Sequence, residues 1–490
     1  MAKQLPSTVD TLAQLFETHF GEQPEAVQLL AVSGSDRKYY RLHKGTTSAI
    51  GTLNTNIAEN NSYFYFTELF RKHNIHVPEV YAIAKDRRGY LQQDLGSTSL
   101  FDLLMQEGFT DNVRKYYHKS IAQLASLQWV AGQAADFNQC FATHKFDEKA
   151  IMADLLYFKY YFADLQKVHY DRLELQSEME DMSKELGRLQ PLSLMYRDFQ
   201  SRNIMVHNEE VWFIDYQGSM QGPAQYDIAS LLWQAKAQLP AAWREDLLNG
   251  YITTMNKLPV PRIEEIHFRK GYAQMVLLRL VQVLGAYGFR GLIERKPHFI
   301  SSIGPALKNL ELFLNDHPHL PAYPEFRTLL EKLSKPEMQE RFTEQVQVKD
   351  NPEKLHVSIT SFSYKKGIPK DNSGNGGGYV FDCRGLLNPG RYAAYKHLSG
   401  QDAPVQQFLE TETRMPEFLA HAYSMVSLNV EDYLARGFEN LTVSFGCTGG
   451  QHRSVYAADH LATYLQKKYG VTVTTRHTNM EHWVREQQKD

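Results

Sequence analysis

Three polar residues in the stretch SLMYRDFQSRNIMVHNEEVWFIDYQG, 193–218, have types and spacing suited to moving a phosphoryl group. Asp198 is followed five residues later by Asn203, and Asp215 closes the strand-like run VWFID. Phosphoryl transfer asks one carboxylate to orient the acceptor hydroxyl and take its proton. It asks an amide and a second carboxylate to hold magnesium against nucleotide phosphates. Asp198 is thus the candidate base, and Asn203 and Asp215 are the candidate metal ligands. A D-x4-N spacing alone is common; the downstream Asp makes it more specific than a set of turn formers and caps. Asp227, in QYDIASLLW, reads as a buried carboxylate bracing the catalytic loop.

A second loop, FGCTGGQHRSV at 445–455, lies between a strand-like and a helix-like run. It lacks the G-K-[ST] ending of a nucleotide P-loop. Three readings stay open. The pattern C-x-x-G-x-x-R-S suits a thiolate nucleophile, Cys447, activated by a helix N-terminus, with Asp402 or Asp432 as the acid. The same loop suits an anion cradle of backbone N–H groups and Arg453. The third reading is a glycine turn with Cys447 as a small core residue.

The elements that must position these residues change character along the chain. Residues 28 to 96 read as short strands around one helix, NNSYFYFTELFRKHN, and residues 100 to 330 as long amphipathic helices interrupted by the 193–218 island. The stretch 334–354 is polar and reads as a linker. Strands and helices then alternate, as in a small α/β domain, with DNSGNGGGYV as a glycine-rich loop. The D-x4-N and strand-end Asp resemble the protein-kinase signature, so the expected organisation is an α+β protein-kinase-like bilobal domain, β-rich over 1–96 and helical over 97–333, then the linker and an α/β domain over 355–490.

Composition sets broad limits. At 490 residues the chain exceeds one ordinary domain. A net charge of -3 gives no global attraction to nucleic acid or membrane. Cys140, Cys383 and Cys447 form no disulfide framework or zinc pattern. The start MAKQLPSTVDTLAQLF lacks an apolar signal core, and the most apolar helix, YAQMVLLRLVQVLGAYGF, is interrupted by Arg279, so a cytoplasmic protein is expected.

The segments GSDRKYYRL, GYLQQDLG, YRDFQSRNIM and FIDYQGSMQGPAQYDIASLLW resemble the aminoglycoside-phosphotransferase-like kinases. Within them the chain is most similar to the anomeric kinases of N-acetylmuramate and N-acetylglucosamine, over roughly residues 10–330. The resemblance implies ATP and Mg2+ as cofactors, a small-molecule sugar substrate and a role in cell-wall sugar recycling. It implies a phosphate-covering turn at Ser33, Gly34, Ser35, Asp36 and Arg37, and an adenine hinge at Gln93, Asp94 and Leu95. Aminoglycoside or choline-type kinases, and a non-catalytic nucleotide-binding module, are the alternatives. One departure is plain. Kinases place a Lys on the strand after the phosphate loop, and here that strand reads TTSAIGTLN; Arg37, Lys38, Arg41 and Lys44 stand nearby.

From about 355 onward, SFSYKKGIP, VFDCRGLLNP, LSGQDAPVQQFL and GCTGGQHRSVYAADHLA resemble the C-terminal domain of the RapZ family of RNase adapters. The resemblance implies a phosphosugar or anion pocket at Asp382, Arg384, Thr448, Gly449, Gly450, His452 and Arg453, and small-RNA binding in some members. Gly390 stands where many relatives have His. Lys365, Lys366, Lys370, Arg391, Lys467, Lys468 and Arg476 are the candidate basic face for RNA. The oligomeric state is left open by the sequence.

Overall fold

The computed structural model describes residues 8–30, 37–259, 264–343, 355–371, 378–436 and 438–483. The chain divides into two compact units, Met1–Phe289 with Ser302–Gln339, and Arg290–Ser301 with Glu340–Asp490. The expected linker at 334–354 opens with a helix, Pro336–Thr343.

The first unit begins with a five-stranded sheet in which Ala26–Leu29, Lys38–Lys44, Thr47–Leu53, Gly89–Gln93 and Val80–Ile83 lie side by side, all antiparallel. A helix the sequence reading did not foresee, Thr8–Phe20, covers one face with Leu12 and Phe16 against Leu42, Ala49 and Leu91. The foreseen helix is Ile57–Lys72, started by Asn56, whose side chain accepts the backbone N–H of Glu59. An N-cap of this kind satisfies one of the orphan donors of the first turn.

The rest of the unit is helical. Its centre is Glu265–Tyr287, buried along most of its length, including Met275, Leu278, Val281 and Leu284. Together with the turn that follows it, this segment is long and apolar enough by composition to cross a membrane, Arg279 notwithstanding, and 61% of its most apolar window is buried within the molecule. Two short strand pairs interrupt the helices, Leu192–Met195 with Met220–Pro223 and Ile204–His207 with Glu210–Phe213. They clamp the two loops that carry Asp198 and Asp215. The strand before Asp215 ends at Phe213, and Asp215 itself has φ 70°.

The second unit holds a wholly parallel four-stranded sheet in the order Tyr379–Asp382, Asn440–Cys447, His356–Ser363, Thr472–His477. The helices Met415–Arg436 and Arg453–Tyr469 contribute Leu419, Val426, Val430, Leu461 and Leu465 to its core. All four carboxyl ends lie on one edge, where open α/β sheets bind ligands. The loop after Cys447 emerges there.

Candidate functional site

The Asp198 loop is held from beneath. Asp227 is fully buried and accepts the backbone N–H groups of Tyr196 at 2.7 Å and Arg197 at 3.0 Å, and the Gln128 amide at 2.8 Å. Burial pushes its carboxyl up to about 7, against the pull of these donors. Arg197 sits at φ 81°, an unusual conformation for a residue other than glycine. Its guanidinium forms two 2.8 Å bonds to Asp154 and donates to the Tyr226 hydroxyl. These anchors leave Asp198 facing outward, with 53% of its side chain exposed.

Arg279, 3% exposed on the apolar helix, reaches Asp198 Oδ1 at 3.3 Å while donating to Tyr226 at 3.1 Å and Gln282 at 2.7 Å. Desolvation favours the neutral acid, but the guanidiniums of Arg279, Arg197 and Arg202 outweigh it and hold the Asp198 carboxyl below its ordinary range. A carboxylate so held stays ionised at neutral pH.

The Asn203 amide donates to the Asp198 carbonyl at 2.9 Å, which directs its own oxygen away. Asp215 accepts from Gln217 at 2.9 Å and from Arg37 at 2.6 Å, and 33% of its side chain is exposed. Among the described residues no group of three His, Cys, Asp or Glu side chains is assembled to hold a metal. An amide oxygen and one carboxylate are hard donors that fit Mg2+, which takes few protein ligands and completes its shell with water and phosphate oxygens.

Of the expected phosphate-covering turn, Ser33, Gly34, Ser35 and Asp36 lie outside the described residues, and Arg37 lies within them. In the expected hinge, the Asp94 side chain is committed to the sheet. It accepts from Arg41 at 2.7 and 2.9 Å, Ser48 at 2.7 Å and the Gly96 N–H at 2.9 Å. Any adenine contact there falls to the backbone. Gln93 Oε1 faces the Glu79 N–H at 3.4 Å, and Leu95 is buried.

In the second unit, the carbonyls of Thr448, Gly449 and Gly450 accept from Ser363 Oγ at 2.8 Å, Asn479 Nδ2 at 2.6 Å and Trp483 Nε1 at 2.9 Å. In a trans peptide the following N–H points the opposite way. The N–H groups of Gly449, Gly450 and Gln451 are thereby turned toward the Cys447 side, and that of Gly450 lies 3.2 Å from Cys447 Sγ. Gly450 has φ 66°, and a Cβ there would lie 3.0 Å from both Asn479 Cβ and the Ser363 backbone N. Thr448 and Gly449 are exposed at the mouth, and the helix Arg453–Tyr469 follows without a side-chain cap. The loop thus leads into a helix N-terminus, where backbone N–H groups and the helix dipole favour anions.

The charged side chains of that loop are occupied elsewhere. Arg453 is 3% exposed, and its guanidinium donates to the carbonyls of Leu386 at 2.7 Å and Arg384 at 3.1 Å. One of its terminal nitrogens thus ties two segments together, while the other lies 3.5 Å from Thr448 Oγ1 and Nε is buried without a hydrogen-bond partner. His452 is buried against Gly390, with Nε2 2.9 Å from the Tyr395 carbonyl, and burial lowers its basicity. Asp382 and Arg384 form an exposed ion pair at 2.7 Å, with the guanidinium 3.8 Å over the Tyr364 ring. Cys447 is 3% exposed and Sγ lies 3.1 Å from Ser454 Oγ. The expected basic face is split. Lys365, Lys366 and Arg476 lie near the carboxyl edge of the sheet, and Lys467 and Lys468 at the far end of a 17-residue helix, about 20 Å away.

Residues 28–261 match the family described as "Phosphotransferase enzyme family", and residues 355–481 the family described as "RapZ C-terminal domain". The chain is a phosphotransferase-family domain joined to a RapZ C-terminal domain. Over the RapZ domain it is 38% identical across 128 residues to a nucleotide-binding protein of Cereibacter sphaeroides, covering 26% of this chain and 40% of the relative. A nucleotide-binding protein of Thermotoga neapolitana is 36% identical over 127 residues, 26% of this chain and 43% of the relative. The chain thus spans less than half the length of these relatives. Among solved structures, a choline kinase from Cryptosporidium parvum Iowa II aligns with 64% of this chain and 98% of its own at 14% identity and TM-score 0.47. A mutant aminoglycoside phosphotransferase solved with ADP and hygromycin B aligns with 63% of this chain and 98% of its own, at 13% identity and TM-score 0.41.

Within the phosphotransferase domain, Asp198 and Asn203 share one loop, and Arg37 reaches the neighbouring Asp215. Sequence reasoning missed Glu59, Asp154 and Gln217, whose local patterns carry no signal. It noticed Arg279 only as an interruption, although a charge on an otherwise apolar helix calls for a buried partner. In the RapZ domain it missed Ser363, Asn479 and Trp483, which shape the nest by holding its carbonyls.

Proposed function

We propose that the phosphotransferase domain transfers the γ-phosphoryl group of ATP to a hydroxyl of an amino sugar of the N-acetylmuramate or N-acetylglucosamine type. Asp198 carries this reading: it is an exposed, ionised carboxylate on a loop whose neighbours are immobilised. It accepts the acceptor hydroxyl proton as the oxygen attacks the γ-phosphorus and ADP departs. Asn203 and Asp215 would hold magnesium, which neutralises phosphate charge when bound. The sugar assignment rests on the sequence resemblance given above.

The RapZ domain, in this reading, binds a phosphosugar at the Thr448–Gly450 nest, through backbone N–H groups, as a regulatory site. The buried Cys447 and the engaged Arg453 speak for this over a thiolate phosphatase, whose arginine must reach the phosphate.

An ATP-consumption screen over N-acetylmuramate, N-acetylglucosamine, other hexoses, aminoglycosides and choline tests the substrate. Turnover with an amino sugar is expected. Turnover confined to a cationic acceptor would contradict the sugar assignment, and no turnover with any would favour a nucleotide-binding module.

A further inference from the structure

Arg37 stands where the missing strand lysine would have to act. In kinases that lysine binds nucleotide phosphates and is steered by a glutamate on the neighbouring helix. Here the strand Thr47–Leu53 has no basic residue. Arg37 precedes the adjacent strand, is 9% exposed, and reaches two carboxylates: Asp215 at 2.6 Å and Glu59 at 3.6 Å. Its Nε is buried without a hydrogen-bond partner. Glu59 lies in the first turn of Ile57–Lys72, and that helix is fastened to the Asp215 loop. Ser62 Oγ donates to the Gln217 carbonyl at 3.0 Å, the Thr67 and Tyr216 hydroxyls meet at 2.6 Å, and the Tyr63 and Tyr216 rings stack at 4.9 Å.

The other nearby cations are spoken for or remote. Arg41 is held by Asp94 and the Gly96 carbonyl. Lys44 lies 3.5 Å from Glu22 and 3.7 Å from Glu25, and Lys38 is exposed.

We infer that Arg37 is the nucleotide-phosphate ligand of this domain, delivered from the neighbouring strand in place of the strand lysine and positioned by Glu59. The inference rests on the phosphotransferase reading above. Geometry supports it directly. Asp215 would hold the ion that neutralises nucleotide phosphates, and Arg37, bonded to Asp215 at 2.6 Å, presents its charge at that same place. An arginine also suits the task chemically, since its fork binds two phosphate oxygens at once.

The test is calorimetric titration of the full chain with ATP–magnesium and, separately, with adenosine, which lacks phosphates. Arg37→Met is expected to weaken ATP binding about ten- to hundredfold, the range of a charge-assisted hydrogen bond, and to leave adenosine binding unchanged. Arg37→Lys should recover part of the loss. Glu59→Gln should weaken ATP several-fold and spare adenosine, and Lys38→Met should change neither. Wild-type ATP affinity in Arg37→Met, or equal loss of ATP and adenosine, would overturn the inference while leaving the phosphotransferase reading intact. A wild-type chain that binds no ATP would overturn both. If Arg37→Met does not fold, Glu59→Gln decides by the same comparison: unchanged ATP affinity sinks the assignment.

Discussion

The Asp198 loop and the Cys447 loop are both short connections crowded with polar residues, yet they expose opposite things. In the first, buried groups such as Asp227 and Arg279 are spent on holding the backbone, and the reactive side chains Asp198 and Asp215 face outward. In the second, the side chains Arg453, His452 and Cys447 are buried, and the residues that reach the surface are Thr448 and Gly449. In the reading proposed above, the first loop supplies a proton acceptor and metal ligands, and the second recognises charge by peptide dipoles. A polar motif in a sequence does not by itself say which of its atoms will meet the ligand.

The comparison breaks most visibly at Arg453. If it is a strut, Arg453→Ala strips donors from two carbonyls and should destabilise the RapZ domain by about 1–3 kcal/mol, the cost of leaving buried polar groups unsatisfied. Chemical denaturation of the full chain, followed by a probe in that domain, measures it. Unchanged stability with lost phosphosugar binding would instead make Arg453 a ligand-binding fork.

The glycines sharpen the contrast further. A Cβ on Gly449 meets nothing within 4 Å, so Gly449→Ala should leave folding within about 1 kcal/mol. It should still weaken glucosamine 6-phosphate binding by roughly tenfold if the backbone must approach the anion closely. Gly450→Ala, at φ 66° and crowded, should cost stability as well. Equal phosphosugar affinity in wild type and Gly449→Ala, by calorimetry, would count against the nest.

The smallest expected effect concerns pH. Because Arg279 helps hold Asp198 ionised, kcat/KM should stay level as pH falls until below the ordinary carboxylate range of about 3.9. Removing the positive charge raises the Asp198 pKa, so Arg279→Gln should move the acid limb of the profile to higher pH. Arg279→Lys should keep it near the wild-type position. An unmoved limb in Arg279→Gln would show that the guanidinium only packs.

These distinctions follow from what a sequence can carry. The D-x4-N spacing and the downstream Asp are local, so this candidate set was legible as a pattern, as were the helix Ile57–Lys72 and the strands His356–Ser363 and Asn440–Cys447 with their buried apolar runs. The edge strand Thr472–His477 does alternate exposed and half-buried residues, but only Val473 among them is apolar, so its sequence carries no hydrophobic alternation to read. Arg279 sits 81 residues from Asp198, and periodicity gives a face but no partner. Arg453 was read as a phosphate fork because its true partners are carbonyls, which every residue possesses.

The direct test of the central claim is phosphorus NMR of the full chain with ATP, magnesium and N-acetylmuramate or N-acetylglucosamine. The wild type should produce a new sugar-phosphate resonance together with ADP. Asp198→Asn should form it at least about a hundredfold more slowly, the scale of a lost general base, while binding ATP normally. A wild-type rate in Asp198→Asn would contradict the assignment of this loop as the catalytic centre.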